Sequence, residues 1–341
     1  MNIVEELPII NKKRTIPDHN TSIELVRLLA CFGVISIHIH ADTFAAHNFS
    51  NIFNIFCVPF FFITGLVFFI NNLNEKVSIN TIISRIWKRI GIPFIAWSTI
   101  YSGLILTKSL LTTSSNPFTI YSLGRIYLYG ESSEQLYFLP DLAVMQIISL
   151  SIYLIMTNTK AIAGLGLFFL ATFYLVWGYS HNYYGITPIK SIIIYILFAF
   201  FLAYNIKEAS KNSYYLYFGI IISTIAVAGN YLNTNNFLET YLFTLPLGGI
   251  GLFLITLYSS HISLPKWAIP LTPTTYGVYL SHIVFLEATE FLIEKLHYKI
   301  FYDLLAKVLM TSFIFIVSII FILIVKKINI LRILLLGERR L

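Results

Sequence analysis

The sequence predicts an all-α fold, a polytopic membrane helical bundle of about ten transmembrane helices. Of its 341 residues, 57% are hydrophobic and only 11% are charged, whereas soluble domains carry about 25% charged residues. The apolar runs reach about 20 residues with almost no charge, which is the length that spans the hydrocarbon core of a bilayer. Because these runs are continuous and lack the alternation of barrel strands, helices are the spanning structure they predict.

The apolar runs divide the chain at fairly regular intervals. They lie at 22–41, 52–70, 91–111, 139–157, 161–177, 191–205, 214–230, 241–258, 275–292 and 304–325. We therefore predict an N-terminal tail at 1–21, a single membrane domain at 22–325 and a basic C-terminal tail at 326–341. An even number of spans places both termini on the same side of the membrane.

The basic residues predict which side that is. The formal net charge is +7, and most Lys and Arg residues lie in the two tails and in every second connection. By the positive-inside bias, both termini are cytoplasmic. This topology explains the basic residues better than binding to nucleic acid does. The opposite connections, at 42–51, 112–138, 178–190 and 230–240, are mostly polar, which suits contact with a glycan but is also usual where a chain leaves a membrane.

Common cofactor motifs are absent from the sequence. It contains no Gly-x-Gly-x-x-Gly, no Walker loop and no His-Glu-x-x-His, so neither a bound cofactor nor a metal is predicted. The two cysteines, Cys31 and Cys57, fall in or beside spans and form no disulfide framework. No internal repeat is evident, which weighs mildly against a transporter.

The first span carries ionisable residues inside an apolar run. Arg27 and His38 are eleven residues apart, so they share one helix face at depths that differ by about 16 Å. An ionisable side chain in a span is costly and is a functional candidate by default. Glu24 lies one turn before Arg27 and can pair with it, which would make the role of Arg27 mainly structural.

His38 is the better catalytic candidate. A neutral imidazole accepts a proton from a hydroxyl near neutral pH without a large pKa shift. The competing interpretation is an interhelical hydrogen bond, which is common for histidines in membranes. Chemistry alone leaves these two interpretations open.

At this point the residues resemble a known family. The Arg27-x10-His38 pattern resembles the signature of the acyltransferase 3 family of integral membrane acyltransferases, and four later segments resemble its motifs in the same order. These are VPFFFITG at 58–65, RIWKRIGIP at 85–93, YFL at 137–139 and TYGVYLSH at 275–282. The resemblance covers residues 20 to 325 or so, with Thr64 in place of the usual Ser and Tyr137 in place of the usual Trp.

The resemblance implies transfer of an acyl group, typically acetyl from acetyl-CoA, to a hydroxyl of a surface polysaccharide or lipid-linked sugar. It implies catalytic roles for Arg27 and His38 and a bacterial inner (plasma) membrane location. The family's paired basic motif maps onto Arg85 with Lys88 or Arg89, because the strict Arg-x-x-Arg form is not kept here. These cations would bind the phosphates of the CoA donor, although they also enforce orientation.

Three further residues are candidates to line the cavity or contact the acceptor: Glu24, Tyr279 and His282. His282 either shares a cavity with His38 or serves only as a structural hydrogen-bonding group. The alternative function is a carrier or flippase for a lipid-linked sugar or small solute, with Arg27 and His38 along its polar pathway. Sequence leaves open the acceptor, O- versus N-acylation, the oligomeric state, and whether His38 is a base or a transient acyl carrier.

Overall fold

Helices are the only regular secondary structure in the described part of the chain. The computed structural model describes residues 21–74, 77–112, 118–158, 160–180, 189–233, 238–259 and 268–338, so the predicted N-terminal tail lies almost wholly outside the described residues. Thirteen α-helices run in chain order: α1 (Thr21–His38), α2 (Phe44–Asn71), α3 (Ile79–Ile86), α4 (Ile92–Thr112), α5 (Ile120–Tyr129), α6 (Phe138–Met156), α7 (Ala161–Ser180), α8 (Ile189–Ala209), α9 (Ser213–Asn233), α10 (Leu238–Tyr258), α11 (Thr275–Lys295), α12 (Leu304–Lys327) and α13 (Asn329–Leu336).

These helices confirm the predicted membrane bundle. Eight described stretches are long and apolar enough to cross a bilayer, one of them being Ile79–Leu110, which joins α3 and α4. The two predicted spans before α12 coincide with α10 and α11, which are not among these eight stretches. The apolar part of α10 is shorter, at Thr244–Tyr258, and α11 carries more polar side chains. Large apolar side chains on α7, α9 and α12 are exposed, as expected of surfaces that face lipid.

The structure differs from the sequence prediction at two connections. The predicted connection 42–51 is largely helical, because Thr43 caps α2 by accepting a hydrogen bond from the amide of Ala46. At 28 residues, α2 is about 42 Å long and extends beyond the apolar run. The predicted connection 112–138 contains α5, which begins with a capping box formed by Thr119 and Ser122.

The helices around α1 position the site. α1 packs against α2, α10, α11 and α12. At Gly33 a Cβ would lie 2.5 Å from Sγ of Cys57 on α2, so the glycine permits this close approach. The Cys31 thiol donates to the Thr275 carbonyl at the start of α11, and His38 contacts His282 seven residues further along both helices. α1 and α11 therefore run in the same direction, as expected of a first and a ninth span.

A π-helical segment, Trp87–Gly91, joins α3 to α4. The Arg89 carbonyl in this segment accepts a hydrogen bond from the Tyr276 hydroxyl. The chain after α13 lies against it: Gly337 has a φ of +63°, and a Cβ there would stand 2.5 Å from the Lys88 carbonyl oxygen. The predicted C-terminal tail therefore includes a helix, and the residue after it packs against the segment that carries Arg85, Lys88 and Arg89, here called the basic segment.

Candidate functional site

His38 is the last residue of α1 and pairs with a carboxylate. Its Nδ1 lies 3.1 Å from Oε2 of Glu134, in the connection between α5 and α6. The His38 side chain is 15% exposed and that of Glu134 is 85% exposed, so the pair lies at the boundary between the bundle and its surroundings. The hydrogen bond from His38 lowers the pKa of Glu134. Glu134 is thus an acceptor at neutral pH, which places the hydrogen of a neutral His38 on Nδ1 and leaves Nε2 able to accept a proton.

The connection that carries Glu134 is firmly held. It starts at Gly130, whose φ of +79° and close approach to the Leu136 backbone exclude a side chain. Gln135 is buried, and its amide donates to the Tyr101 hydroxyl at 2.7 Å. The Tyr279 hydroxyl donates to the Gln135 carbonyl at 3.1 Å. Tyr279, a predicted candidate, therefore acts here by fixing the residue next to Glu134.

His282 lies beside His38. The centroids of the two rings are 5.3 Å apart, with 43° between their planes, and His282 is 0% exposed. Its Nδ1 is 3.2 Å from the Val278 carbonyl oxygen. Its Nε2 is buried and has no hydrogen-bond partner among the described residues. Two of the sequence candidates, His38 and His282, are thus brought into one site together with Glu134.

A cavity of about 490 Å³ opens at this end of α1. His38 lines it together with Ser50, Asn51 and Asn54 of α2 and Glu290 of α11. Hydroxyl and amide groups both donate and accept hydrogen bonds. The lining therefore offers hydrogen-bond donors and acceptors to a hydroxyl-rich molecule, beside ionisable side chains such as Glu290 and Lys307.

Lys307 was missed by the sequence analysis, although it lies one turn into the apolar run at 304–325. It is fully buried, and its Nζ donates to the carbonyl oxygens of Ile39 and, at 3.3 Å, His40. These carbonyls directly follow His38, so α12 holds the C-terminal end of α1. A buried lysine in an apolar run was a signal available in the sequence.

Glu134 was also missed, and for a different reason. It lies in a polar connection, 96 residues from His38, and no spacing rule relates the two. Only the fold brings them together.

Arg27 and Glu24 form the predicted pair at the other end of α1. Arg27 Nη1 and Glu24 Oε1 are 3.0 Å apart, and the two side chains are 28% and 24% exposed. The pair offsets the cost of the guanidinium at this depth. Arg27 does not share the hydrogen bonds of His38 described above, so the structure places the two signature residues at separate levels.

The basic segment, residues 85–89, lies near the start of α11, where the Tyr276 hydroxyl donates to the Arg89 carbonyl. Arg85 ends α3, and Lys88 and Arg89 lie in the π-helical segment. Arg85 and Arg89 are exposed and Lys88 is half-buried. Among the described residues none of the three makes an ion pair, so their charges are available to an anion. π-Helical segments often mark functional sites.

A comparison with known protein families identifies the family to which this chain belongs. A family model for an acyltransferase domain, that of the acyltransferase 3 family, matches residues 20–327. No curated protein and no solved structure matched. The family match favours acyl transfer over the carrier considered above. Since it covers nearly the whole chain, and the described helices form a membrane bundle, the protein belongs to the acyltransferase 3 family and is an integral membrane acyltransferase.

Proposed function

We propose that the protein transfers acetyl from acetyl-CoA to a hydroxyl of a surface polysaccharide or lipid-linked sugar. The observation that carries this proposal is the His38–Glu134 pair at a cavity lined largely by polar side chains. A base oriented by a carboxylate is the arrangement that activates a hydroxyl, as in other acyl-transfer sites. The hydrogen-bonding groups of this lining support a sugar as the acceptor.

In the proposed reaction, the proton of the acceptor hydroxyl moves first to His38 and then to the CoA thiolate. Nε2 of His38 takes the proton of the acceptor hydroxyl as its oxygen attacks the thioester carbonyl carbon. The new C–O bond forms, the C–S bond breaks, and the CoA thiolate leaves with the proton from His38. Glu134 accepts a hydrogen bond from Nδ1–H throughout the reaction. This hydrogen bond orients the ring and stabilises the imidazolium. This general-base route is the one we propose, in preference to a transient acyl-histidine.

The basic segment supplies the donor site. In the part of the chain that the structure describes, Arg85, Lys88 and Arg89 form no ion pair, so their cations can bind the phosphates of CoA. Arg27 lies in the first half of α1, and His38 lies at its end. A long, thin pantetheine arm reaches from such a phosphate site into the bundle. This arrangement fits a donor from the cytoplasm and an acceptor from outside, with both termini cytoplasmic in a bacterial inner membrane.

The test is transfer of radiolabelled acetyl from acetyl-CoA to cell-envelope glycans by membranes that contain the wild type or His38→Ala. We expect label with the wild type and a loss of about 100-fold or more with the variant. His297→Asn is the control, because His297 is exposed, lies outside this cavity and has a positive φ that Asn tolerates. No label from the wild type across several acyl-CoA donors and glycan acceptors would contradict the proposal.

A rapid acid quench separates the two routes for His38. The general-base route predicts no labelled protein when acetyl-CoA is supplied without acceptor. Label bound to the wild type and absent from His38→Ala would instead establish the acyl-histidine.

A further inference from the structure

One ring nitrogen of His282 has no hydrogen-bond partner in the described part of the chain. The Val278 carbonyl lies 3.2 Å from Nδ1 and can only accept, so Nδ1 carries the hydrogen of the neutral ring. Nε2 is then an acceptor, and it is buried without a partner among the described residues. A histidine that served only to join helices would be expected to satisfy both nitrogens, because an unsatisfied buried acceptor is costly.

The surroundings of His282 show which donor could reach this nitrogen. With Nδ1 turned to the preceding turn of α11, Nε2 faces away from the backbone of its own helix. The ring of His38 lies against that of His282, with a centroid distance of 5.3 Å. Tyr279, at 6.1 Å, is the other ring neighbour, but its hydroxyl already donates to the Gln135 carbonyl.

His38 becomes a donor at Nε2 only during the reaction. In the neutral ring that the proposed general-base route requires, the Nδ1 hydrogen is directed to Glu134, and Nε2 carries a lone pair. When His38 takes the acceptor's proton, Nε2 gains a hydrogen and the ring gains a positive charge. An acceptor nitrogen next to this ring is then satisfied for the first time, so it stabilises the charged state more than the resting state.

We propose that His282 is a positioning residue for proton transfer, whose Nε2 accepts a hydrogen bond from the Nε2–H that His38 gains in the reaction. The imidazolium then donates to Glu134 from Nδ1, and its Nε2–H is shared between His282 and the CoA sulfur that receives the proton. No bond to His282 forms or breaks, and the proton passes from His38 to the departing CoA thiolate. This inference rests on the acetyl-transfer function proposed above.

Two substitutions separate this role from a structural one. In His282→Asn the side-chain amide takes the place of Nδ1 and keeps the hydrogen bond to Val278, but no acceptor remains at Nε2. In His282→Gln the longer amide places an oxygen near the Nε2 position and gives up the Val278 hydrogen bond. A structural role favours Asn, whereas the proposed role favours Gln.

The measurement is acetyl transfer by equal amounts of monodisperse, detergent-solubilised wild type and both variants, with kcat and KM determined for acetyl-CoA. We expect His282→Asn to lower kcat by about 10- to 100-fold with little change in KM, and His282→Gln to recover most of that loss, since hydrogen bonds to charged groups are worth such factors. Equal impairment of both variants, or greater activity of Asn, would overturn the inference.

A double-mutant cycle gives a second test that does not depend on rescue. If His282 and Glu134 act on the same imidazolium, the effect of His282→Asn combined with Glu134→Gln on kcat departs from the product of the single effects. An effect equal to that product would contradict the inference. In either experiment, an active wild type with an unexpected variant pattern removes only the role of His282, whereas an inactive wild type removes the proposed function itself.

Discussion

At the scale of single residues, the site depends on the different surroundings of the two ring nitrogens of His38. His38 has one carboxylate at Nδ1 and a cavity beside it, so its two nitrogens have different tasks. Glu134 is mostly exposed, but the backbone beside it is fixed through Gln135 by Tyr101 and Tyr279. The largely exposed carboxylate of Glu134 can therefore orient His38, because hydrogen bonds hold the backbone of the adjacent Gln135.

Glu134→Gln is expected to lower kcat by about 10- to 100-fold, since a neutral amide stabilises an imidazolium less than a carboxylate does. The fold should be unaffected, as this side chain is largely exposed. Glu131→Gln is the matched control, because Glu131 lies in the same connection but pairs with Arg125. The check is kcat with saturating acetyl-CoA, and similar losses in the two variants would show that the connection as a whole, not the His38 pair, is responsible.

The same pair predicts a pH dependence of stability. The pKa of Glu134 is lowered from its ordinary value of 4.5 by the hydrogen bond from His38. A lowered carboxyl pKa contributes stability that is present above the ordinary pKa and is lost as the pH falls through the lowered value. The difference in unfolding temperature between wild type and Glu134→Gln should thus be larger at neutral pH and shrink below about pH 4. Detergent-solubilised protein unfolded by heat across this range provides the measurement, and a difference that grows on acidification would have the wrong sign.

At the scale of helices, the position of His38 depends on the start of α12. Asp303 caps α12 by accepting from the Ala306 amide at 2.8 Å, and Lys307 follows one turn later to hold the final carbonyls of α1. A cation at a helix C-terminus also interacts favourably with the helix dipole. Asp42 adds a second tie, since its side chain accepts from the Tyr302 amide at 2.7 Å. The catalytic end of α1 is therefore held by a helix that begins more than 260 residues later.

Lys307→Met is expected to lower the free energy of unfolding by about 1 to 3 kcal/mol, because it leaves the carbonyl of the buried Ile39 without this donor. Lys299→Met is the control, since Lys299 is exposed in the connection before α12 and should change stability by less than about 0.5 kcal/mol. Denaturation in mixed micelles measures both. If the two variants proved equally stable, the hydrogen bonds of Lys307 would not be what holds the end of α1.

At the scale of the whole molecule, periodicity predicted the helices but not what lies between them. Every predicted apolar run coincides with a helix, because twenty apolar residues in lipid have no other solution. The polar ends of α2 and the short helices α5 and α13 were not predicted, since capping by residues such as Thr43 and Thr119 extends helices beyond the apolar run. Arg27, His38 and the basic segment were accessible through motifs, whereas Glu134 depends on a contact between distant parts of the chain.

A shorter acetyl donor without phosphates should distinguish the binding of CoA at the basic segment from the chemistry at His38. If Arg85, Lys88 and Arg89 bind the phosphates of CoA, replacing all three with Ala raises KM for acetyl-CoA by about 10-fold or more. The same variant should use the acetyl thioester of N-acetylcysteamine, which has no phosphates, as well as the wild type does, because the site at His38 is untouched. A triple variant of the exposed cations Lys108, Lys295 and Lys299 controls for the loss of positive charge, and its KM should stay unchanged. If the basic-segment variant lost activity with both donors, these residues would support the fold or the chemistry and not the phosphates of the donor.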